Sequence, residues 1–338
     1  MDLRMIMMGF GNVGQGFVTV LNLRLNFLRL RFNVRPRVVA IVDSEGAAVN
    51  RAGLDLEKAL WVKRLKGTVA FYPRCGRLGV TGLEVLEEVD ADVVVETTIT
   101  NIVDGEPGLS FILEAMRRGR HVITSNKGPL ALAFSKLRDA SIKYGVQFKF
   151  DAAVGGATPV ISLAEQCLKG NEIESIEGIL NATSNFILTR MSRELCPMEK
   201  AVEEAQRMGI CERNPALDIK GIDTACKTVI LANAIMNRNV TYRDMQKVEG
   251  IENIKVKDLI EAQKRGCTIK LIGLADKSRL LVQPLPIPLN NPLCVDGTLN
   301  AVKLKTDLAK DVIIIGRGAG PVETASKMLN NLIDIIES

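Results

Sequence analysis

Histidine is almost missing from this chain: His121 is the one imidazole among 338 residues. Aromatic residues are only 4% of the total, too few for a base-stacking nucleic-acid surface. The seven cysteines, at positions 75, 167, 196, 211, 226, 267 and 294, are scattered, odd in number and form no CxxC pair. That usage speaks against a zinc site or a disulfide framework and points to a reducing cytoplasm. Cys167 and Cys226 stand in apolar surroundings and read as small core residues rather than nucleophiles. Long apolar runs are missing as well. The opening stretch of residues 3–8 is cut by Gly9 and is too short for a signal peptide or a membrane span. Charge is not blocked: the net +5 is spread along the chain. The densest group, Arg24, Arg29, Arg31, Arg35 and Arg37, lies on and after one long helix and reads as a solvated face. Neither nucleic acid nor membrane is expected as a partner.

What is present is an ordinary globular balance, 47% hydrophobic and 25% charged, in a length that suggests about two domains. Residues 3–8 form an apolar run, followed by Gly9-x-Gly11-x-x-Gly14 and a helical pattern over 15–31. A second strand over 38–42 ends in Asp43. This strand, glycine turn, helix and strand open a doubly wound parallel sheet. Further buried parallel strands are expected at 91–97, 120–125 and 146–150. Helices at 108–118 and up to Tyr144 are closed by Gly119 and Gly145, with Pro129 in the first turn of the second. The expected fold is therefore α/β, a Rossmann-type sheet plus an α+β catalytic and dimerisation domain. The first domain spans about 1–150 and is completed by about 305–338; the second spans 151–304. The run Pro284-Leu285-Pro286-Ile287-Pro288 cannot be helical and belongs at a sheet edge or a crossing connection.

In the glycine turn, Gly9 permits the bend, Gly11 lets backbone N–H groups approach a pyrophosphate, and Gly14 lets helix and strand pack closely. Asn12 and Val13 head the helix whose N-terminus faces the phosphates. Asp43 stands farther on than the usual spacing of about twenty residues, because the intervening helix is long. A carboxylate there hydrogen-bonds a ribose 2′-hydroxyl and repels a 2′-phosphate, so NAD is expected over NADP. Arg51, Lys63 and Arg64 could fold over the same site and soften that preference.

A dehydrogenase needs a group that exchanges a proton with the substrate oxygen. With one histidine, at the start of a strand, that task falls to lysine. Lys127 follows the C-terminal end of a parallel strand, where α/β sheets bind ligands. Asp223 and Lys227 are four apart on a helix and share a face. The plain alternative for them is an exposed ion pair worth about 0.3–0.5 kcal/mol.

With these residues in view, the chain resembles the homoserine dehydrogenase family in its short form. The likeness rests on residues 9–14, 124–130, 153–159, 178–185, 204–227 and 316–320, in order along nearly the whole length. It implies interconversion of L-aspartate 4-semialdehyde and L-homoserine with NAD or NADP, a step of amino-acid biosynthesis, in a cytoplasmic homodimer. It implies Lys127 and Lys227 as catalytic lysines with Asp223 beside them. Glu212 and Asp218 would hold the substrate's ammonium, while Thr183 and the backbone at Ala182 would meet its carboxylate. Thr97, Asn126 and Gly318 join the coenzyme site. The carbonyls of Asp151, Val154 and Gly156 match a loop that in some members holds Na+ or K+. Three positions depart from the pattern. Ala182 replaces a common glycine, Ile210 a common tyrosine, and Asp151 a glutamate. The rival readings are another amino-acid dehydrogenase, such as an L-aspartate dehydrogenase, and a dinucleotide-sensing Rossmann protein without turnover.

Overall fold

The structure, a computed structural model, describes residues 1–338. The chain divides into two compact units, Met1–Ala153 with Pro321–Ser338, and Val154–Gly320.

The first unit runs β1 (Asp2–Met8), α1 (Asn12–Phe32), β2 (Arg35–Asp43), β3 (Gly46–Val49), α2 (Leu56–Lys66), β4 (Gly76–Leu78), α3 (Gly82–Glu88), β5 (Val93–Glu96), α4 (Gly108–Arg117), β6 (His121–Thr124), α5 (Lys127–Tyr144) and β7 (Phe148–Lys149). The sheet order is β4-β3-β2-β1-β5-β6-β7. Strands β2, β1, β5, β6 and β7 are parallel, and β3 and β4 continue the sheet antiparallel. Met5, Ile6, Met7 and Met8 are all fully buried, as expected of a parallel strand covered on both faces, where apolar residues need not alternate with polar ones. Strand order reverses at β1, so the loops leaving β1 and β5 flank the crevice where such sheets take ligands.

The helix punctuation follows the sequence. Asn33 closes α1 in the left-handed conformation at φ 54°, and Arg29 and Arg31 in its last turn match the negative end of its dipole. Gly119 (φ 71°) and Gly145 (φ 62°) end α4 and α5 in the same way. His121 opens β6 and its Nδ1 accepts the Gln147 N–H at 3.0 Å. Burial holds this imidazole below its ordinary pKa, which fits an acceptor that helps seat β7.

The second unit runs α6 (Val160–Cys167), β8 (Ile173–Ile179), α7 (Ala182–Glu194), α8 (Met198–Arg207), α9 (Ala216–Ile219), α10 (Ile222–Met236), β9 (Lys247–Val248), α11 (Val256–Lys264), β10 (Cys267–Asp276), β11 (Leu280–Pro288), β12 (Leu299–Thr306) and β13 (Asp311–Arg317). Its sheet order is β13-β12-β8-β10-β11-β9. All pairs are antiparallel except β9 with β11. Pro284, Pro286 and Pro288 lie opposite Leu271, Ile269 and Cys267 of β10. On its other side β11 is paired only at Leu281 and Val282, so the prolines occupy a free edge where their missing N–H costs nothing.

The last helix, α12 (Pro321–Glu337), returns to the first unit and packs Ala325, Met328 and Leu332 into one core with Phe17 and Leu21. The return starts later than the sequence suggests. Residues 305–320 stay in the second unit, because β12 and β13 pair along their whole length as a hairpin beside β8. A continuous apolar run such as 312–315 reads alike in a buried parallel strand and in this edge strand. No helix is long and apolar enough to cross a membrane.

Candidate active site

In the first unit, the turn after β1 is built by contact and by conformation. Gly9 has φ 91°, and a Cβ there would lie 2.6 Å from the Thr97 carbonyl. The Thr97 hydroxyl in turn donates to the Gly9 carbonyl at 2.8 Å. A Cβ on Gly14 would come 2.5 Å from that same carbonyl oxygen, so helix and strand meet with no room between them. Gly11 differs: a Cβ there would meet nothing within 4 Å. No side chain caps α1, and its first turn carries no acid. The N–H groups at Asn12 and Val13 therefore head a helix N-terminus left open to an anion, and this turn fits a dinucleotide pyrophosphate.

Asp43 ends β2 as expected, but its carboxylate is already engaged. Lys63 Nζ lies 2.8 Å from Oδ2, Val69 N–H donates to Oδ2 at 2.9 Å, and Thr68 and the Glu45 N–H donate to Oδ1 at 2.8 and 3.1 Å. Burial opposes ionisation, yet these donors outweigh it and hold the carboxyl below its ordinary range. Four donors match about the four lone-pair sites a carboxylate offers. The signal for this lay in Lys63, which the sequence offered only as a residue over the site.

Asn126 caps α5 by accepting from Gly128 N–H at 3.1 Å. Its amide donates to Glu96 Oε1, Thr98 Oγ1 and the Ile99 carbonyl at 3.1–3.2 Å. The side chain is thus spent on holding the loops at the ends of β5 and β6, with Lys127 as the first residue of α5. Sequence reasoning passed over fully buried Glu96, which also accepts from Thr124 Oγ1 at 2.7 Å. A single acid ending an apolar strand was the available hint.

In the second unit, Gly221 (φ 74°) turns the chain between α9 and α10. That turn brings Asp218 and Asp223 to one amide, Asn181, which donates to Asp218 Oδ1 at 2.6 Å and to Asp223 Oδ2 at 2.8 Å. The Asn181 oxygen caps α7 by accepting from Ser184 N–H at 2.8 Å. Lys227 Nζ donates to the Leu180 carbonyl at 2.7 Å and sits 2.7 Å from Asp223 Oδ2. The side chains of Lys227 and Asp223 are only 9% and 12% exposed, so this is no surface ion pair. Burial raises the Asp218 carboxyl above its usual pKa, and the nearby charge of Asp223 raises it further. Thr183 reaches the Ile210 carbonyl at 3.5 Å, and Ala182 is buried at the start of α7.

Asn181 lies within the 178–185 block, where its place as a cap after a strand is the readable signal. Glu212 is not gathered in: it is exposed on the loop between α8 and α9. Gly318 is held by packing, since a Cβ there would overlap the Asn300 amide, and one on Gly156 would lie 2.8 Å from the Gly318 carbonyl carbon.

A buried lysine held against a carboxylate and a carbonyl, beside an acid whose pKa burial raises, is an arrangement that can handle a proton. The sequence profile described as homoserine dehydrogenase matches residues 159–333. The homoserine dehydrogenase of Methanocaldococcus jannaschii is 49% identical over 98% of this chain and 98% of its own.

The chain belongs to the homoserine dehydrogenase family.

It is an NAD(P)-dependent oxidoreductase acting on a CH–OH group. The NAD(+)-dependent homoserine dehydrogenase of Pseudomonas canavaninivorans is 34% identical over 100% of this chain and 97% of its own. A solved hyperthermophilic archaeal homoserine dehydrogenase in complex with NADPH is 27% identical, with TM-score 0.84 over 99% of this chain and 98% of that one.

Proposed function

We propose that this chain carries out the family reaction, reversible reduction of L-aspartate 4-semialdehyde to L-homoserine, with lysine as the proton carrier. The observation that carries the reading is the buried Lys227 ammonium, fixed by Asp223 and the Leu180 carbonyl. Bound coenzyme supplies or accepts the hydride. In reduction, negative charge grows on the aldehyde oxygen; Lys227 stabilises it and donates the proton, with Lys127 as the second cation of the same turnover. Asp223 fixes the ammonium in place. Asp218 takes the substrate's ammonium, aided by Glu212 if the 208–215 loop folds inward on binding. The N–H at Ala182 and the Thr183 hydroxyl meet the carboxylate.

In the first unit the coenzyme lies along Gly9, Gly11, Asn12, Val13 and Gly14, with Thr97, Asn126 and Lys127 bordering it; Gly318 is the second unit's candidate for a coenzyme contact. NAD is the preferred form on the charge of Asp43, and Lys63 keeps the discrimination modest by neutralising that charge. The relatives support both forms, one being named NAD(+)-dependent and one being solved with NADPH. The protein works in the cytoplasm as a homodimer. Na+ or K+ at the carbonyls of Asp151, Val154 and Gly156 is opposed by the Lys327 ammonium, which lies 3.4 Å from the Asp151 carboxylate.

The test follows nicotinamide absorbance with L-aspartate 4-semialdehyde, with L-homoserine, and with oxaloacetate plus ammonia. Only the first two substrates should react. A free lysine is already an ammonium at neutral pH, with a reference pKa of about 10.4, so reduction is expected to need no alkaline activation. Oxidation should improve strongly toward alkaline pH. Parallel profiles in both directions would remove lysine as the proton carrier.

A further inference from the structure

Asp151 opens the short 3-10 turn Asp151–Ala153 at the end of the first unit's sheet, and it is buried. Two side chains of α12, one turn apart, reach it. Lys327 Nζ lies 3.4 Å from Oδ1, and Asn331 Nδ2 donates to Oδ2 at 3.0 Å. Lys327 is 3% exposed and Asn331 1%. A lysine this deep on a helix that also packs Ala325, Met328 and Leu332 into the core is an expensive placement. It persists only where a carboxylate and hydrogen-bond acceptors compensate it.

An ammonium asks of its surroundings what an alkali cation asks: several oxygens and a negative charge close by. Asp151 supplies that charge to Lys327. A Na+ or K+ taken up by the carbonyls of this turn would sit beside a fixed positive charge in a buried setting, where screening is weak. We infer that Lys327 is a built-in cation: it supplies from α12 the positive charge that a bound alkali ion would otherwise bring to the Asp151 turn, and the enzyme needs no monovalent metal. The same pair pins α12 to the turn, so the charge doubles as a clasp for the returning C-terminal helix. None of this depends on which residue moves the proton.

The experiment uses the full-length enzyme at fixed ionic strength in NaCl, KCl or tetramethylammonium chloride, the last being too large to coordinate. Activity and Tm should be the same in all three. Activation of several-fold, or a Tm that rises and saturates with Na+ or K+ alone, would overturn the inference. Lys327→Met leaves Asp151 buried without its ammonium, and Tm should fall by roughly 6–20 °C. Activity and Tm of this variant should recover saturably on adding Na+ or K+, but not tetramethylammonium. An undiminished Tm, or a folded variant indifferent to the cation, would contradict the role. If Lys327→Met does not fold, the paired variant Asp151→Asn with Lys327→Met decides. Removing both charges should restore folding without cation response, and failure to do so would count against charge compensation.

Discussion

At the scale of single residues, the second unit's chemistry converges on one amide. Asn181 spends both of its N–H bonds on Asp218 and Asp223 and its oxygen on the α7 cap. Hydrogen bonds of this kind favour the ionised carboxylates, so their loss pushes protonation to higher pH. For Asn181→Ala, the acid limb of kcat/KM should move to higher pH, with kcat/KM down about tenfold or more near neutrality; an unmoved acid limb would separate Asn181 from the acids. The sign for stability is opposite to that of an ordinary ion-paired acid. Asp218 is raised above its unfolded value, so whatever stability it adds is present at low pH and lost as pH rises through its folded pKa. Lys63 makes a second residue-scale case. With Lys63→Met, Asp43 keeps its charge without a counter-ion, and discrimination against NADP(H) relative to NAD(H) should rise roughly tenfold. Steady-state ratios of kcat/KM for the two coenzymes check this, and an unchanged ratio would show that Asp43 does not read the 2′ position.

At the scale of elements, the sequence announced the parts whose rules are local. The glycine turn, the caps at Gly119 and Gly145, the proline-rich edge strand and the shared face of Asp223 and Lys227 each follow from one residue type in one place. Other features depend on the rest of the fold. Residues 305–320 read as part of the first unit until β12 and β13 are known to pair beside β8. Asp43 looks free to meet a ribose until Lys63, on a helix two elements later, is seen to grip it. Glu212 looks like a ligand by motif, yet its loop leaves it in solvent. The turn itself is testable. Gly9→Ala adds a Cβ at φ 91° and 2.6 Å from the Thr97 carbonyl, so the strand exits of β1 and β5 must part. Calorimetric titration should show coenzyme affinity weakened by about tenfold or more, while circular dichroism stays native. Parent-like affinity would mean the turn tolerates what its geometry forbids.

At the scale of the whole molecule, a nucleotide-binding unit closed by its own C-terminal helix and a sheet-and-helix unit are joined in one chain of the homoserine dehydrogenase family. The family was legible because six motif blocks stand in order, whereas the compensations that adapt those motifs here, Lys63 for Asp43 and Lys327 for Asp151, were not. Lys63 could be named over its site, but its grip on Asp43, like that of Lys327 on Asp151, comes from tertiary packing that no local pattern fixes. The most direct measurement is turnover in both directions by Lys227→Met and by Lys127→Ala, with coenzyme affinity and Tm recorded on the same samples. The account predicts that each folded variant loses about 10²–10⁴-fold in kcat, in reduction and oxidation alike. A folded, coenzyme-binding Lys227→Met that turns over at close to the parent rate would contradict it.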